Sequence, residues 1–253
     1  VGRRFWGSPK TWKVAVNKVG FSLSCGETLA LVGESGCGKT SLGRSLFALQ
    51  EFVTGEVWLQ PNGQARSELF SLNPQQRRKM ARHLAMVFQD PFASLNPRMK
   101  IWKSVAEPLV IHKRGNSVEQ RTLATQWLRQ VGLDPQFADR FPKQLSGGEC
   151  QRVAIARALI LEPSLVVCDE AVSALDLPIQ KELLLLMKHL QKEHGLAILF
   201  ITHDFSVVEE IADRVLVMEQ GAIVESGMTS TLMEAPQHEV TKRLLAARLG
   251  VGC

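Results

Sequence analysis

Tyrosine is absent from this 253-residue chain, and aromatic residues make up only 6% of it. Any ring that stacks on a flat ligand must come from the 11 phenylalanines or 5 tryptophans. Long apolar runs are missing too. The longest, such as Leu183 to Met187 and Ala197 to Ile201, fall well short of the roughly 20 residues that a membrane-crossing helix needs. A membrane role would therefore depend on a separate protein. No signal peptide opens the chain, which starts at Val1 rather than Met, as expected if an end is missing. The five cysteines, at 25, 37, 150, 168 and 253, show neither C-x-x-C pairing nor zinc spacing, which fits a reducing cytoplasm.

At 45% hydrophobic and 22% charged, the chain suits one large or two small soluble domains with a real core. Its net charge of +5 raises the possibility of a nucleic acid or an anionic membrane as partner. The densest basic run is Arg77, Arg78, Lys79, Arg82 and His83, which on a helix reads as a solvated face.

Residues 33 to 40 read Gly-Glu-Ser-Gly-Cys-Gly-Lys-Thr, a P-loop. Glycine at 33 and 38 lets the backbone curl around phosphate and present successive N–H groups. Lys39 becomes the point charge for the β- and γ-phosphates, and the Thr40 hydroxyl becomes a magnesium ligand. Glu27 to Val32 before it is a short apolar run suited to a buried strand, and Thr40 to Leu46 continues with helical spacing. The whole stretch of Gly33, Glu34, Ser35, Gly36, Cys37, Gly38, Lys39, Thr40 and Ser41 is the expected phosphate cradle. Only one such loop is present, so the chain shows no internal duplication.

Leu165 to Cys168 is an apolar strand that ends in Asp169 and Glu170. Asp169 would hold magnesium and Glu170 would polarise an attacking water. The plainer alternative is that Glu170 caps the next turn. Between these halves stands Leu145-Ser146-Gly147-Gly148-Glu149-Cys150-Gln151-Arg152. Ser146 and Glu149 form a capping box for a helix, which leaves two glycines at its N-terminus as a second phosphate site. One monomer has no evident use for two such sites unless a second copy shares them.

With these motifs in this order, nearly the whole chain resembles the ABC transporter ATPase family. Leu145 to Arg152 resembles the family signature, Asp169-Glu170 its Walker B motif, and Ser173 to Asp176 its D-loop. Gln89 matches the Q-loop glutamine and His203 the switch histidine. The resemblance implies ATP and Mg2+ as ligands and a head-to-tail dimer that sandwiches ATP between the P-loop of one subunit and the signature of the other. Ser146, Gly147 and Gly148 would then meet the γ-phosphate bound on the partner, with Asp176 nearby. His203 would touch the γ-phosphate in cis, and Gln89 would sense magnesium and water. The adenine platform, normally a tyrosine, falls to Trp12, with Phe5 and Trp6 as alternatives and packing in a β subdomain as the plainer role for Trp12. Cys150 departs from the glutamine or other polar residue that the family generally has, at a position expected to tolerate it.

Phe88 to Arg98 closely resembles the stretch after the Q-loop in dipeptide, oligopeptide and nickel importer ATPases, and Pro91 and Pro97 make it read as a rigid loop. The tail from Glu234 to Leu245 is similar to the same group, with Glu239-Val240 where those proteins usually have Pro-Tyr. Only Cys253 is left of the cysteine-rich extension that many of them carry, so no iron–sulfur site is assigned. The implied partners are a second ATPase subunit, two transmembrane permease subunits and, indirectly, an extracytoplasmic solute-binding protein. No nucleic acid is expected, and the implied location is the cytoplasmic face of the inner membrane. A soluble ABC ATPase acting on nucleic acid, a metal-chelate importer and a non-hydrolysing switch are the other readings.

The expected fold is α/β: a P-loop NTPase, RecA-like core that is mainly parallel, an N-terminal antiparallel β subdomain, and a helical subdomain bearing the signature. Residues 1–89 and 156–228 would form the first two, 90–155 the helical part and 229–253 a helical tail.

Overall fold

The computed structural model describes residues 14–47, 53–61 and 63–248. Trp12, Phe5 and Trp6 lie outside the described residues. The first half of the chain contributes β1 (Thr28–Val32), α1 (Lys39–Ser45), β2 (Trp58–Leu59), β3 (Ser67–Glu68), α2 (Pro74–Ala81), β4 (Leu84–Val87), α3 (Pro91–Ser94), α4 (Ile101–Ile111) and α5 (Ser117–Gln130). The second half contributes α6 (Gly147–Leu159), β5 (Leu165–Asp169), α7 (Leu177–His194), β6 (Ala197–Thr202), α8 (Phe205–Ile211), β7 (Arg214–Glu219), β8 (Ala222–Met228), α9 (Thr229–Glu234) and α10 (Glu239–Arg248).

The main sheet runs β4-β5-β6-β1-β7-β8, and every pair is parallel except β7 with β8. β1 and β6 are buried along their whole length, as strands covered on both faces must be, and their sequences are unbroken apolar runs for the same reason. Successive side chains leave the sheet on opposite sides. Leu29 and Leu31 pack with Leu42 and Leu46 of the α1 region, whereas Ala30 and Val32 pack with Phe205, Val208 and Val240 under the C-terminal helices. Each fully buried Leu or Phe contributes about 1.5–3 kcal/mol.

Helices α4, α5 and α6 share one core with the β4-β5-β6 side of the sheet, where Ile101, Val105, Leu128 and Val153 join Val166, Ile198, Phe200 and Leu183. α6 runs across residue 155 to Leu159, because Ile155, Ala156 and Leu159 are buried good helix formers with no break among them. Within the part expected to be helical, α5 is begun by a capping box between Asn116 and Glu119.

Several expectations differ from the structure. The described residues 14–27 form no strand; Gly20, Gly26 and the left-handed Lys18 (φ 49°) interrupt them. Val19, Phe21 and Leu23 still alternate and pack on the sheet, so the pattern of a strand is there without a partner strand. Of the expected antiparallel β subdomain, the described residues before β4 pair only Trp58–Leu59 with Ser67–Glu68. After the Q-loop glutamine, the Pro91 region is the four-residue helix α3 rather than a plain loop. Proline is compatible with a first helical position, and the Asp90 side chain accepts from the Ala93 N–H at 3.0 Å to cap it. The basic run divides as well: α2 ends before Arg82 and His83, and Arg77 and Arg78 donate to the carbonyls of Phe70 and Ile111.

Gly43 is where α1 comes closest to the sheet. A Cβ there would lie 2.7 Å from Ile201 Cδ1 and 3.3 Å from Val167 Cγ1. Gly43→Val is expected to cost about 1–3 kcal/mol through overpacking, read as a lower urea midpoint. An unchanged midpoint would mean that Ile201 yields at no cost.

Candidate active site

Parallel pairing brings the strands' carboxyl ends to one edge, and the register sets which residues emerge there. Val32 pairs with Thr202, Asp169 with Ile201, and Val87 with Cys168. The residues that follow, Gly33, His203, Glu170 and Gln89, therefore leave the sheet side by side. Ligands of open α/β sheets bind at this edge.

The loop from Gly33 to Lys39 closes over the end of β1. Gly38 has φ 112°, and a Cβ on it would lie 2.2 Å from the Ala15 carbonyl, so both conformation and space require glycine. Lys39 is 5% exposed, and its Nζ donates to the carbonyls of Gly33 (2.7 Å) and Glu34 (3.0 Å). Among the described residues, this buried ammonium has only neutral acceptors at hydrogen-bond distance, an arrangement suited to an incoming anion. The loop's outer wall is the hairpin joining β7 to β8. Its two-residue turn, Gln220-Gly221, has both φ values positive, the tight type that suits strand twist. Gly221 N–H donates to Cys37 O, and Gly221 O accepts from Asn17 N–H, at 2.9 and 2.7 Å.

A cleft of about 720 Å3 opens here. Glu34, Ser35, Gly36, Cys37, Gly38, Lys39, Thr40, Ser41 and Glu170 all line it, while Gly33 is buried beneath. Sequence reasoning missed Val14, Ala15, Met218, Glu219, Gln220, Gly221 and Val240, which complete the wall. No local motif marks them; only the pairing of β7 with β1 and the packing of α10 bring them in.

Thr40 Oγ1 donates to Asp169 Oδ1 at 3.0 Å, which joins the loop to the end of β5. Two oxygen ligands of this kind suit magnesium completed by phosphate and water. Among the described residues no cluster of three or more His, Cys, Asp or Glu forms a complete cage. Burial pushes the Asp169 carboxyl above the ordinary range, against the Thr40 hydrogen bond and Arg44. Glu170 follows with φ 50°, a left-handed conformation that costs a non-glycine residue energy and is typical of functional sites. Ser173 Oγ holds it by donating to Glu170 O at 2.9 Å. The same Oγ accepts from Gln89 Nε2 at 3.3 Å, and His203 Nδ1 lies 3.6 Å from Glu170 Oε1. Gln89, Ser173, Glu170 and His203 thus form one connected group.

Ser146, Gly147 and Gly148 do not line this cleft. The expected capping box is formed: Glu149 N–H donates to Ser146 Oγ at 3.3 Å, and Ser146 N–H to Glu149 Oε2 at 2.6 Å. Gly148 has a packing reason as well, because a Cβ there would lie 2.7 Å from Ile179 Cγ2 on α7. Asp176 caps α7 by accepting from Ile179 N–H at 3.1 Å and also lies outside the cleft lining. Cys150 is fully buried with its thiol pushed up to about 11 by burial, so it is a core residue.

The family model described as ABC transporter matches residues 16–173. The chain belongs to the ABC transporter family. It is 46% identical over 245 residues to the oligopeptide transport ATP-binding protein OppF of Escherichia coli (strain K12), covering 96% of this chain and 71% of that protein. With the dipeptide transport ATP-binding protein DppF of Haemophilus influenzae it shares 45% identity over 234 residues, covering 92% and 70%. Among solved structures, the dimeric post-hydrolysis state of the ATP-binding cassette MJ0796 bound to ADP and Pi aligns with TM-score 0.76 and 28% identity, covering 88% of this chain and 94% of that one. This ABC cassette is an ATPase with the expected mainly parallel P-loop fold.

A raised carboxyl pKa means that the folded chain binds this proton more tightly than the unfolded chain. The Asp169 contribution to stability is therefore present below the ordinary carboxylate value and is lost as pH rises toward the raised one. At neutral pH the ligand-free cassette carries that cost. Asp169→Asn is expected to raise the thermal unfolding midpoint at pH 7 in chelator, with the gain shrinking as pH falls toward 4. Equal midpoints at pH 7 would mean that Thr40 and Arg44 already offset the charge.

Proposed function

We propose that this ABC ATPase is the motor subunit of an importer of di- or oligopeptides. It would bind MgATP in the P-loop cleft and hydrolyse it within a head-to-tail dimer at the cytoplasmic face of the membrane. The observation that carries the site reading is the shared strand edge: the P-loop from Glu34 onward and Glu170 line one cleft, Asp169, His203 and Gln89 leave the same edge next to them without lining it, and Ser146 to Gly148 also stay outside the lining. A second copy supplying its signature helix completes such a site. The similarity to oligopeptide and dipeptide transport ATP-binding proteins supports the substrate class. Among the described residues no helix is long and apolar enough to cross a membrane. In this reading the solute path lies in two separate permease subunits, fed by a solute-binding protein.

In this reading the amides from Glu34 to Thr40 and the Lys39 ammonium hold the β- and γ-phosphates, with Lys39 giving up its two carbonyl partners as it does so. Thr40, Asp169 and Gln89 would be the residues that hold magnesium. Magnesium, when bound, offsets charge on the β- and γ-phosphate oxygens. Glu170 orients a water and accepts its proton as the oxygen attacks the γ-phosphorus, and the bond to the bridging oxygen breaks to leave ADP and phosphate. His203 steadies the γ-phosphate, and the proximity of its ring to Glu170 keeps base and sensor in register. The left-handed backbone at Glu170 fixes the direction of its side chain before substrate arrives.

Glu170→Gln is expected to retain MgATP binding, lower turnover by about 10²-fold or more, and accumulate a dimer with ATP on size-exclusion chromatography. Near-wild-type turnover would remove Glu170 from the role of base. Lys39→Ala should abolish binding at micromolar nucleotide in equilibrium titration, and retained affinity would place the phosphates elsewhere. Reconstitution with the permease subunits tests the substrate class: ATP-dependent uptake of labelled peptide is expected, and uptake of another solute in its place would overturn it.

A further inference from the structure

The tail helix α10 forms part of the cleft wall, and its anchorage is specific. Glu225, on edge strand β8, accepts from the backbone N–H groups of Gln237 and His238 at 2.9 Å each and from the Thr241 hydroxyl. This one carboxylate fastens the turn into α10, while Val240 is buried against Phe205 and Val208. With the helix fixed at these two points, Val240 reaches the cleft and Arg243, one turn on, lies at its rim. Arg243 Nη2 is 3.2 Å from Glu34 Oε1 and 3.7 Å from Glu219 Oε1.

The charges that line the cleft are Glu34, Glu170, Glu219 and Lys39, three acidic groups against one basic. A polyphosphate entering such a cleft meets repulsion from the two rim carboxylates unless a cation offsets them. We propose that Arg243 is a positioning residue for the nucleotide: it neutralises Glu34 and Glu219 at the mouth of the cleft and draws the Glu34 side chain away from the phosphate path. The inference rests on the cleft being the MgATP site. Because Arg243 and Glu34 are 61% and 60% exposed, water and salt screen the effect, so it is modest and falls with ionic strength. The C-terminal segment is then a working part of the nucleotide site rather than an appendage packed behind it.

The experiment measures MgATP affinity of the full chain by displacement of a fluorescent nucleotide, at about 50 mM and about 500 mM salt. Arg243→Gln is expected to weaken binding by about three- to tenfold at low salt and less than about twofold at high salt. Arg243→Lys should stay within about twofold of wild type, because it keeps the charge. Adding Glu34→Gln to Arg243→Gln should restore most of the affinity, since the uncompensated carboxylate is gone. An unchanged affinity in Arg243→Gln, an equal loss at both salt concentrations, or no recovery in the double variant would overturn the proposal and leave Arg243 as a surface packing residue. Failure of the wild-type chain to bind MgATP would instead overturn the reading of the cleft itself.

Discussion

The parallel alignment of β4, β5, β6 and β1 is the constraint on which the rest of the molecule depends. Parallel neighbours end on the same edge, and their hydrogen-bond register leaves no freedom over which residues come out beside one another. Four short segments far apart in the chain therefore deliver a phosphate loop, a carboxylate pair, a histidine and a glutamine to one line. A slip of one residue in β5 would turn Asp169 to the opposite face and break its hydrogen bond to Thr40.

That edge holds features that oppose stability. Lys39 is a buried ammonium supported by carbonyls, Asp169 is a buried carboxylate whose charged form burial disfavours, and Glu170 sits in a left-handed conformation. The apolar clusters on both sides of the sheet offset these costs. Two of these features would be relieved by the ligand proposed above, an anion meeting Lys39 and a cation meeting Asp169, while the left-handed backbone at Glu170 would remain. The site is thus organised around the charges of a ligand that the protein alone does not supply.

Legibility in the sequence varied with how local the cause was. The capping box at Ser146 and Glu149 and the apolar runs before the P-loop, at 165–168 and at 197–201 depend on neighbours a few residues apart, so their patterns carried through to structure. The expected N-terminal antiparallel region is not a strand over residues 14–27, although Val19, Phe21 and Leu23 alternate there, since a strand also needs a partner edge and the described residues offer none. Pro91 misled in the other direction. Proline ends a helix from within but starts one readily, and the Asp90 cap decided between the two. The walls of the cleft, Val14, Met218, Gly221 and Val240, had no signal of their own.

By itself the sequence determined the family, the P-loop conformation and the order in which the functional groups occur, because glycine placement, apolar runs and caps act over a few residues. Only the tertiary structure decided that Gln89 reaches Glu170 through Ser173, that the signature glycines stand outside the cleft of their own chain, and that Arg243 returns to pair with Glu34. Those relations join residues with no pattern connecting them along the chain. They exist because strands of the same direction share an edge and because one carboxylate, Glu225, fastens the last helix to that edge.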